Sequence, residues 1–333
     1  LEAADQRDRV TGVRAVTPAG ATVRVEAPLV VLAGGAVENA RLLLLLAEAG
    51  YGDLGGEGQW LGRCFMEHPR DYALTLFPKS PDFLGEASFY DAHATADGTV
   101  VCGRIALTEE AARGGLPNAS ATLLPRAKVR RPPGGLAGRV VQRVHSLGGR
   151  VSVPGLPGRV LQRLHALVRG PAGGGYGWSQ YPDAPGRYDA FRVLVNLEHR
   201  PHPENRIVLD GARDRHGVRR ASLHMRWRDE EQAELVRLRT ALAGWLEGAG
   251  LGRVEIEEDA RPDPNAHHHA GTNRMHQDLA MGVVDPDCRV HALENLYVTG
   301  ASVFPTSGYA NPMLTIVAMA LRLADHLDPG GVA

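Results

Sequence analysis

Apolar and polar residues alternate from Val10 to Val16 (VTGVRAV) and again from Thr22 to Ala27 (TVRVEA), with Pro18, Ala19 and Gly20 between the two runs. Period-two alternation around a Pro/Gly turn predicts a β-hairpin. The run LVVLAGG, Leu29 to Gly35, follows as a buried strand. A helix from about Val37 to Ala49 comes straight after it, with LLLLL at its centre. Strand, paired glycines and helix make one unit of an α/β layer.

From about residue 70 to 260 the pattern changes to short alternating strands: YALTLF, FRVLVNLEH, RIVLD and RASLHMRW. Turn clusters such as PHPEN and DRHG separate them, which predicts an antiparallel sheet backed by helices. One such helix runs through DEEQAELVRLRTALAGWLEGAG to about Gly248, with Asp229 as its cap and acidic residues in its first turn. An internal repeat also falls in this span. GLAGRVVQRVHSL (Gly135 to Leu147) is echoed by GLPGRVLQRLHAL (Gly155 to Leu167). Each copy spaces Val/Leu and Arg as a short basic amphipathic helix, with Val140, Val144, Val160 and Leu164 turned inward. Two copies are too few for a solenoid. Surface helices packed on the sheet are the plain reading, and docking on a membrane surface or a protein is the alternative.

The last part of the chain carries the densest chemistry. His267, His268 and His269 precede Gly271-Thr272, then come a VVDPDCRV strand and a second strand in NLYVTGASVFPTSG. Asn311-Pro312 opens a final helix, NPMLTIVAMALRLADH, with Asn311 as its cap; that helix is apolar enough to be core. Consecutive histidines also raise a metal reading. No matching Cys or Asp/Glu pair accompanies them, so no metal ligand is assigned.

Composition adds little until it is read locally. The 333 residues suffice for one large or two ordinary domains, and 44% apolar with 23% charged residues is ordinary for a globular protein. No apolar run is long enough to span a bilayer, and no nucleic-acid partner is expected. Cys64, Cys102 and Cys288 are far apart and form no CxxC, which fits a reducing compartment, so a cytoplasmic location is expected. The net charge of −1 hides an asymmetry: no acidic residue lies between Glu110 and Asp183, while Arg113 to Arg169 is densely basic. That span is the expected place for docking on a membrane surface or partner protein.

The His–Gly–Thr cluster, the strands after it and the Asn-Pro helix closely resemble the C-terminal signature of the glucose-methanol-choline (GMC) oxidoreductases. VVLAGGAVENARLLL resembles the family's strand-to-helix turn near the flavin. LGRCFMEHP resembles a segment at the passage into the substrate domain, and NRIVLD with RHGVRRASLHMRWRDEE resembles that domain itself. GMC enzymes are FAD-dependent and oxidise alcohols and sugars. The HHxGTxRM and FPTSGYANP variants are similar to those of sugar-oxidising bacterial members, so a sugar or polyol is the implied substrate.

The resemblance implies a fold combining α/β and α+β parts. An incomplete Rossmann-like FAD-binding domain at 1–69 and 261–333 flanks an antiparallel-sheet substrate domain at 70–260, with a basic helical insertion at about 125–170. The chain contains no GxGxxG, the turn that cradles a dinucleotide pyrophosphate, so that N-terminal unit is expected to be missing here. In the family pattern the base is the His three positions before the Gly of Gly-Thr, which is His268, and its partner is Asn311. An amide cannot act as a base at neutral pH but can donate to the substrate oxygen. The flavin contacts implied are Ala33, Gly34, Gly35, Asn39 and Arg41, then Gly300, Ala301 and Ser302, then Asn311, Pro312, Met313 and Thr315 at a helix N-terminus. Many members carry an acid where this chain has Gly300. The electron acceptor is left open among oxygen, a quinone and a cytochrome. Two other classes stand beside the enzyme: a non-catalytic fragment, and a metal-binding or structural domain that keeps the GMC fold.

Overall fold

The computed structural model describes residues 2–3, 8–51, 54–55, 59–128, 178–180, 184–263 and 267–328. In chain order its main elements are β1 (Val10–Val16), β2 (Thr22–Glu26), β3 (Val30–Leu32), α1 (Gly35–Glu48), β4 (Arg70–Pro78), β5 (Ala119–Ala127) and β6 (Tyr188–Leu197). Then follow β7 (Arg206–Arg213), β8 (Arg219–His224), α2 (Asp229–Gly248), β9 (Gly252–Ile256), β10 (Leu296–Val298) and α3 (Met313–Leu327).

The alternating N-terminal runs form the β1–β2 hairpin, with Val13 opposite Val25. Strand β3 then pairs in parallel with β10, Leu296 opposite Val30 and Val298 opposite Leu32. This pairing joins the two ends of the chain around one core, where Leu43 and Leu46 of α1 meet Val283, Val284, Val290, Leu296 and Val303. The buried-strand reading of LVVLAGG holds on one face only. Val30 and Leu32 are each 7% exposed, but Val31 is 38% exposed, because β3 and β10 form a sheet of two strands among the described residues.

A five-stranded antiparallel sheet, ordered β9-β4-β6-β5 and then the short strand Ile105–Ala106, forms a second core. Its inward residues Leu74, Leu76, Leu123, Phe191, Val193 and Val195 pack against Leu235, Leu238, Leu242 and Leu246 of α2. Positions 235, 238, 242 and 246 share one helical face, and Arg239 lies on it too, at 2% exposure. Its guanidinium meets the fully buried Asp71 of β4 through two bonds of 3.0 and 2.7 Å and the Ala260 carbonyl at 2.7 Å.

Several expectations are corrected. Strands β5 and β9, outside the expected runs, complete the sheet. RIVLD and RASLHMRW instead pair with each other as the separate β7–β8 hairpin, which packs on α1. Helix α2 is capped at Arg228, whose N–H donates to Glu231 Oε2 at 2.8 Å, and Asp229 is its first helical residue. VVDPDCRV is a tight turn rather than a strand: Asp285 Oδ1 accepts from the N–H groups of Asp287 and Arg289, both at 2.9 Å. Residues 125 to 127 belong to β5, where Arg126 pairs with Asp189. The repeated segments, with Val140, Val144, Val160 and Leu164, lie outside the described residues.

Helix α3 departs most from its reading as core. Leu323 is buried, and Ile316, Met319 and Leu327 pack partly against the first core. Met313, Leu314, Val317 and Leu321 are 65%, 83%, 47% and 63% exposed. An apolar helix face of this size normally marks a surface that another element covers. Among the described residues no helix is long and apolar enough to cross a membrane.

Candidate active site

The Gly-Thr of the His cluster is placed by backbone packing. Segment 270–275 is held between two others. Met66 N–H donates to Ala270 O (2.9 Å) on one side, and Gly271, Asn273 and Met275 N–H groups donate to Ala301, Ser302 and Val303 carbonyls on the other. Gly271 has φ +76°, and a Cβ there would lie 2.1 Å from the Cys64 carbonyl oxygen, so only glycine fits. Thr272 is buried with φ +83°, a strained state for a β-branched residue. Its hydroxyl donates to the Ala36 carbonyl at the start of α1 (2.7 Å), which ties the motif to the strand-to-helix turn.

His268 lies just before this anchor and is half-buried. Its backbone N–H donates to Glu67 Oε1 at 2.8 Å, and its ring meets His68 edge-on with centroids 5.2 Å apart. Burial pushes the His268 imidazole below its ordinary value, against the pull of the Glu67 carboxylate; Arg70, His267 and His269 push the same way as burial. His68, 2% exposed, is also pushed down, first by burial and then by His268, against Glu67, the Gly308 carbonyl and Glu198. His268 is therefore neutral at neutral pH, with a free electron pair on its ring. His267 is exposed in a left-handed conformation (φ +62°), and His269 pairs with Glu67 Oε2 at 3.1 Å. Among the described residues no three His, Cys, Asp or Glu side chains form a metal-ligand set.

The flavin-side candidates occupy the same end of the first core. Asn39 is fully buried at the first turn of α1. Its Oδ1 accepts from Gly34 N–H (2.7 Å), and its amide donates to the Thr299 carbonyl (3.1 Å) and Ser302 Oγ (2.9 Å). Asn39 thus locks the β3–α1 turn to the β10 turn, and Ala33, Gly34 and Gly35 remain exposed beside it. Gly300 has φ +95° and open space where a side chain would stand, and Ala301 and Ser302 are buried behind it. Arg41 points elsewhere: it bonds Asp214 at 2.7 Å and the Arg219 carbonyl at 2.7 Å, fastening α1 to the β7–β8 hairpin. That guanidinium holds the Asp214 carboxyl down at about 2.

Asn311 is exposed, and no hydrogen bond among the described residues uses its amide. It does not cap α3. Pro312 stands at the cap position, its carbonyl accepting from Ile316 N–H, and Met313 is the first helical residue. The segment before it reaches the histidines through Gly308, whose carbonyl faces His68 and whose N–H donates to Glu198 Oε1 at 2.8 Å. Thr315 is exposed in the first turn of the helix. Sequence reasoning singles out neither Glu67 nor His68. The visible signal is an acid and a histidine side by side before Pro69, within otherwise apolar CFMEHP.

Residues 201–320 match the C-terminal domain of the GMC oxidoreductase family. A paromamine 6'-oxidase of Streptomyces fradiae is 32% identical over 134 residues, 40% of this chain and 25% of the relative. A C-glycoside 3-oxidase of Arthrobacter globiformis is 33% identical over 129 residues, 36% of this chain and 23% of the relative. The matched stretch thus spans about a quarter of the length of these curated relatives. A solved formate oxidase of Aspergillus oryzae, studied for modification of its FAD, shares the fold at 19% identity and a TM-score of 0.52. That likeness covers 99% of this chain and 59% of that one. The family resemblance in the motifs is borne out, and GMC oxidoreductases are FAD-dependent enzymes.

Proposed function

We propose that this chain carries the flavin-facing and substrate-facing parts of an oxidoreductase that oxidises a CH–OH group of a sugar or polyol. His268 takes the hydroxyl proton, and Asn311 donates a hydrogen bond to the oxygen as negative charge develops on it. The observation that supports this most is the placement of His268: its backbone is held by a buried carboxylate, its ring lies beside a second imidazole, and burial pushes it toward the neutral form. Similarity to a paromamine 6'-oxidase and a C-glycoside 3-oxidase supports a sugar as the substrate class.

The residues at the β3–α1 and β10 turns fit an FAD. Small side chains line the turns, Gly300 leaves open space, and in the same region the buried Thr299 Oγ1 and Asn273 Nδ2 have no hydrogen-bond partner among the described residues. When bound, FAD supplies the acceptor for the hydride. Gly34, Gly35 and Gly300 admit the close approach of a flat ring, and the N-terminus of α3 favours negative charge nearby. The unit bearing a GxGxxG turn is proposed to come from outside this sequence and to cover Met313, Leu314, Val317 and Leu321. The absence of that motif and the face of α3 left exposed among the described residues support this arrangement.

Two results follow. The 333-residue chain by itself is expected to bind FAD weakly, since its sequence holds no GxGxxG turn to seat the pyrophosphate at a helix N-terminus. Titration followed by flavin fluorescence checks this, and tight stoichiometric binding would refute it. In the flavin-loaded enzyme, Asn311→Ala is expected to slow sugar oxidation by on the order of 10²-fold, less than loss of the base. Steady-state rates of the two variants side by side decide it; an Asn311 variant slower than the His268 variant overturns the assignment.

A further inference from the structure

Resting on the reading of His268 as proton acceptor, we infer that Glu67 is its positioning residue: one buried carboxylate that fixes the backbone of both His268 and His68 and places a negative charge beside both rings. Glu67 is 3% exposed. Its Oε1 accepts from the N–H groups of His68 (3.0 Å) and His268 (2.8 Å), and its Oε2 meets His269 Nε2 at 3.1 Å. The two segments it joins are already bonded one step away, through Met66 N–H to Ala270 O at 2.9 Å and the reverse bond at 3.0 Å. Glu67 therefore closes a ring around the His68–His268 contact, whose centroids are 5.2 Å apart.

The charged groups around this ring define what Glu67 adds. His268 faces Glu67, Arg70, His267, His269 and His68. His68 faces His268, Glu67, Glu198 and the Gly308 carbonyl. Arg70 is itself paired with Asp263 at 2.9 Å. Glu67 is the carboxylate common to both imidazoles, and it opposes the burial that disfavours their protonated forms. The same side chain thus provides geometry, by two accepted N–H bonds, and electrostatics, by its charge. The two contributions are separable, because glutamine keeps an accepting oxygen and loses the charge.

The test is a histidine ring-proton NMR titration of the full chain, with amide hydrogen exchange, on the parent, Glu67→Gln and Glu67→Ala. Glu67→Gln is expected to fold, keep slow exchange at His68 and His268, and move both midpoints to lower pH. Glu67→Ala is expected to speed exchange at the two amides by about tenfold or more, the loss of a charge-assisted bond. In the flavin-loaded enzyme Glu67→Gln should shift the acid limb of the rate profile downward and hold the alkaline rate within a few-fold. Glu67→Ala should lose on the order of 10²-fold at every pH by misplacing the base. Unmoved midpoints in Glu67→Gln, its failure to fold, or unchanged exchange in Glu67→Ala would each overturn the inference. An active His268→Ala enzyme would refute the base assignment alone, and the titration and exchange data would still decide the role of Glu67.

Discussion

Loaded with FAD and given its sugar, the His268→Ala variant is expected to turn over about 10²–10⁴-fold more slowly than the parent while keeping its flavin. The magnitude is that of a lost general base in an otherwise intact site. The substitution leaves the backbone N–H at 268, so its bond to Glu67 and the Met66–Ala270 bridge next to it are retained. The neighbouring histidines provide the controls. His267 is exposed and makes no hydrogen bond among the described residues, so His267→Ala should be mild. His269→Ala removes a half-exposed ring from its pair with Glu67 and should also be mild. Rates per bound flavin measure this, and a His267 variant as slow as the His268 variant would move the base one residue along.

The second large effect concerns stability. Arg239→Ala is expected to cost about 3–5 kcal/mol, because it leaves the Asp71 carboxylate at 0% exposure without its bidentate partner. Asp71 is near the start of β4, a few positions after His68, so the pair also anchors α2 next to the strand that carries the site. Replacing both members with apolar residues, as Asp71→Leu with Arg239→Met, should cost clearly less than the single change, since no buried charge is stranded. Urea unfolding of the parent and the two variants tests the pair. A double variant as unstable as Arg239→Ala would show that packing volume, and not the orphaned charge, sets the cost.

The sequence is most legible where a local period carries the whole message. The hairpin from Val10, the Leu-rich α1 and the amphipathic α2 follow from spacing alone. It is least legible where the outcome depends on residues far along the chain. The apolar run at β3 does not reveal that its one strand neighbour among the described residues lies more than 260 positions away, leaving Val31 exposed. The hydrophobicity of α3 says that its face needs cover but not that the cover is absent from this chain's described residues. In VVDPDCRV the apolar ends suggest a strand, and the Asp285 side chain turns the backbone instead. Asn311 has the residue type of a cap, but with Pro312 next in sequence the helix begins one residue later and the amide stays free among the described residues.

The candidate site shows the same division. The spacing from His268 to Gly271-Thr272 can be read directly, and the structure explains the Gly-Thr by the close Cys64 carbonyl and the Ala36 contact. Glu67 cannot be read as a partner of His268, because the two are 201 positions apart and a lone acid has no periodicity. The neighbours of Arg41 in sequence draw it toward the flavin, whereas its guanidinium serves the α1–hairpin joint.

The most direct test of His268 as proton acceptor is the anaerobic rate of flavin reduction by sugar, followed across pH in the parent, His268→Ala and His267→Ala. Because burial holds His268 below its ordinary value, its neutral form is already dominant at neutral pH. The parent rate should therefore rise with pH along a single acid limb lying below ~6.5 and then level off. That limb should persist in His267→Ala and vanish in His268→Ala, whose residual rate should be flat over the same range. An acid limb that survives unchanged in His268→Ala would contradict the account, because another group would then be taking the proton.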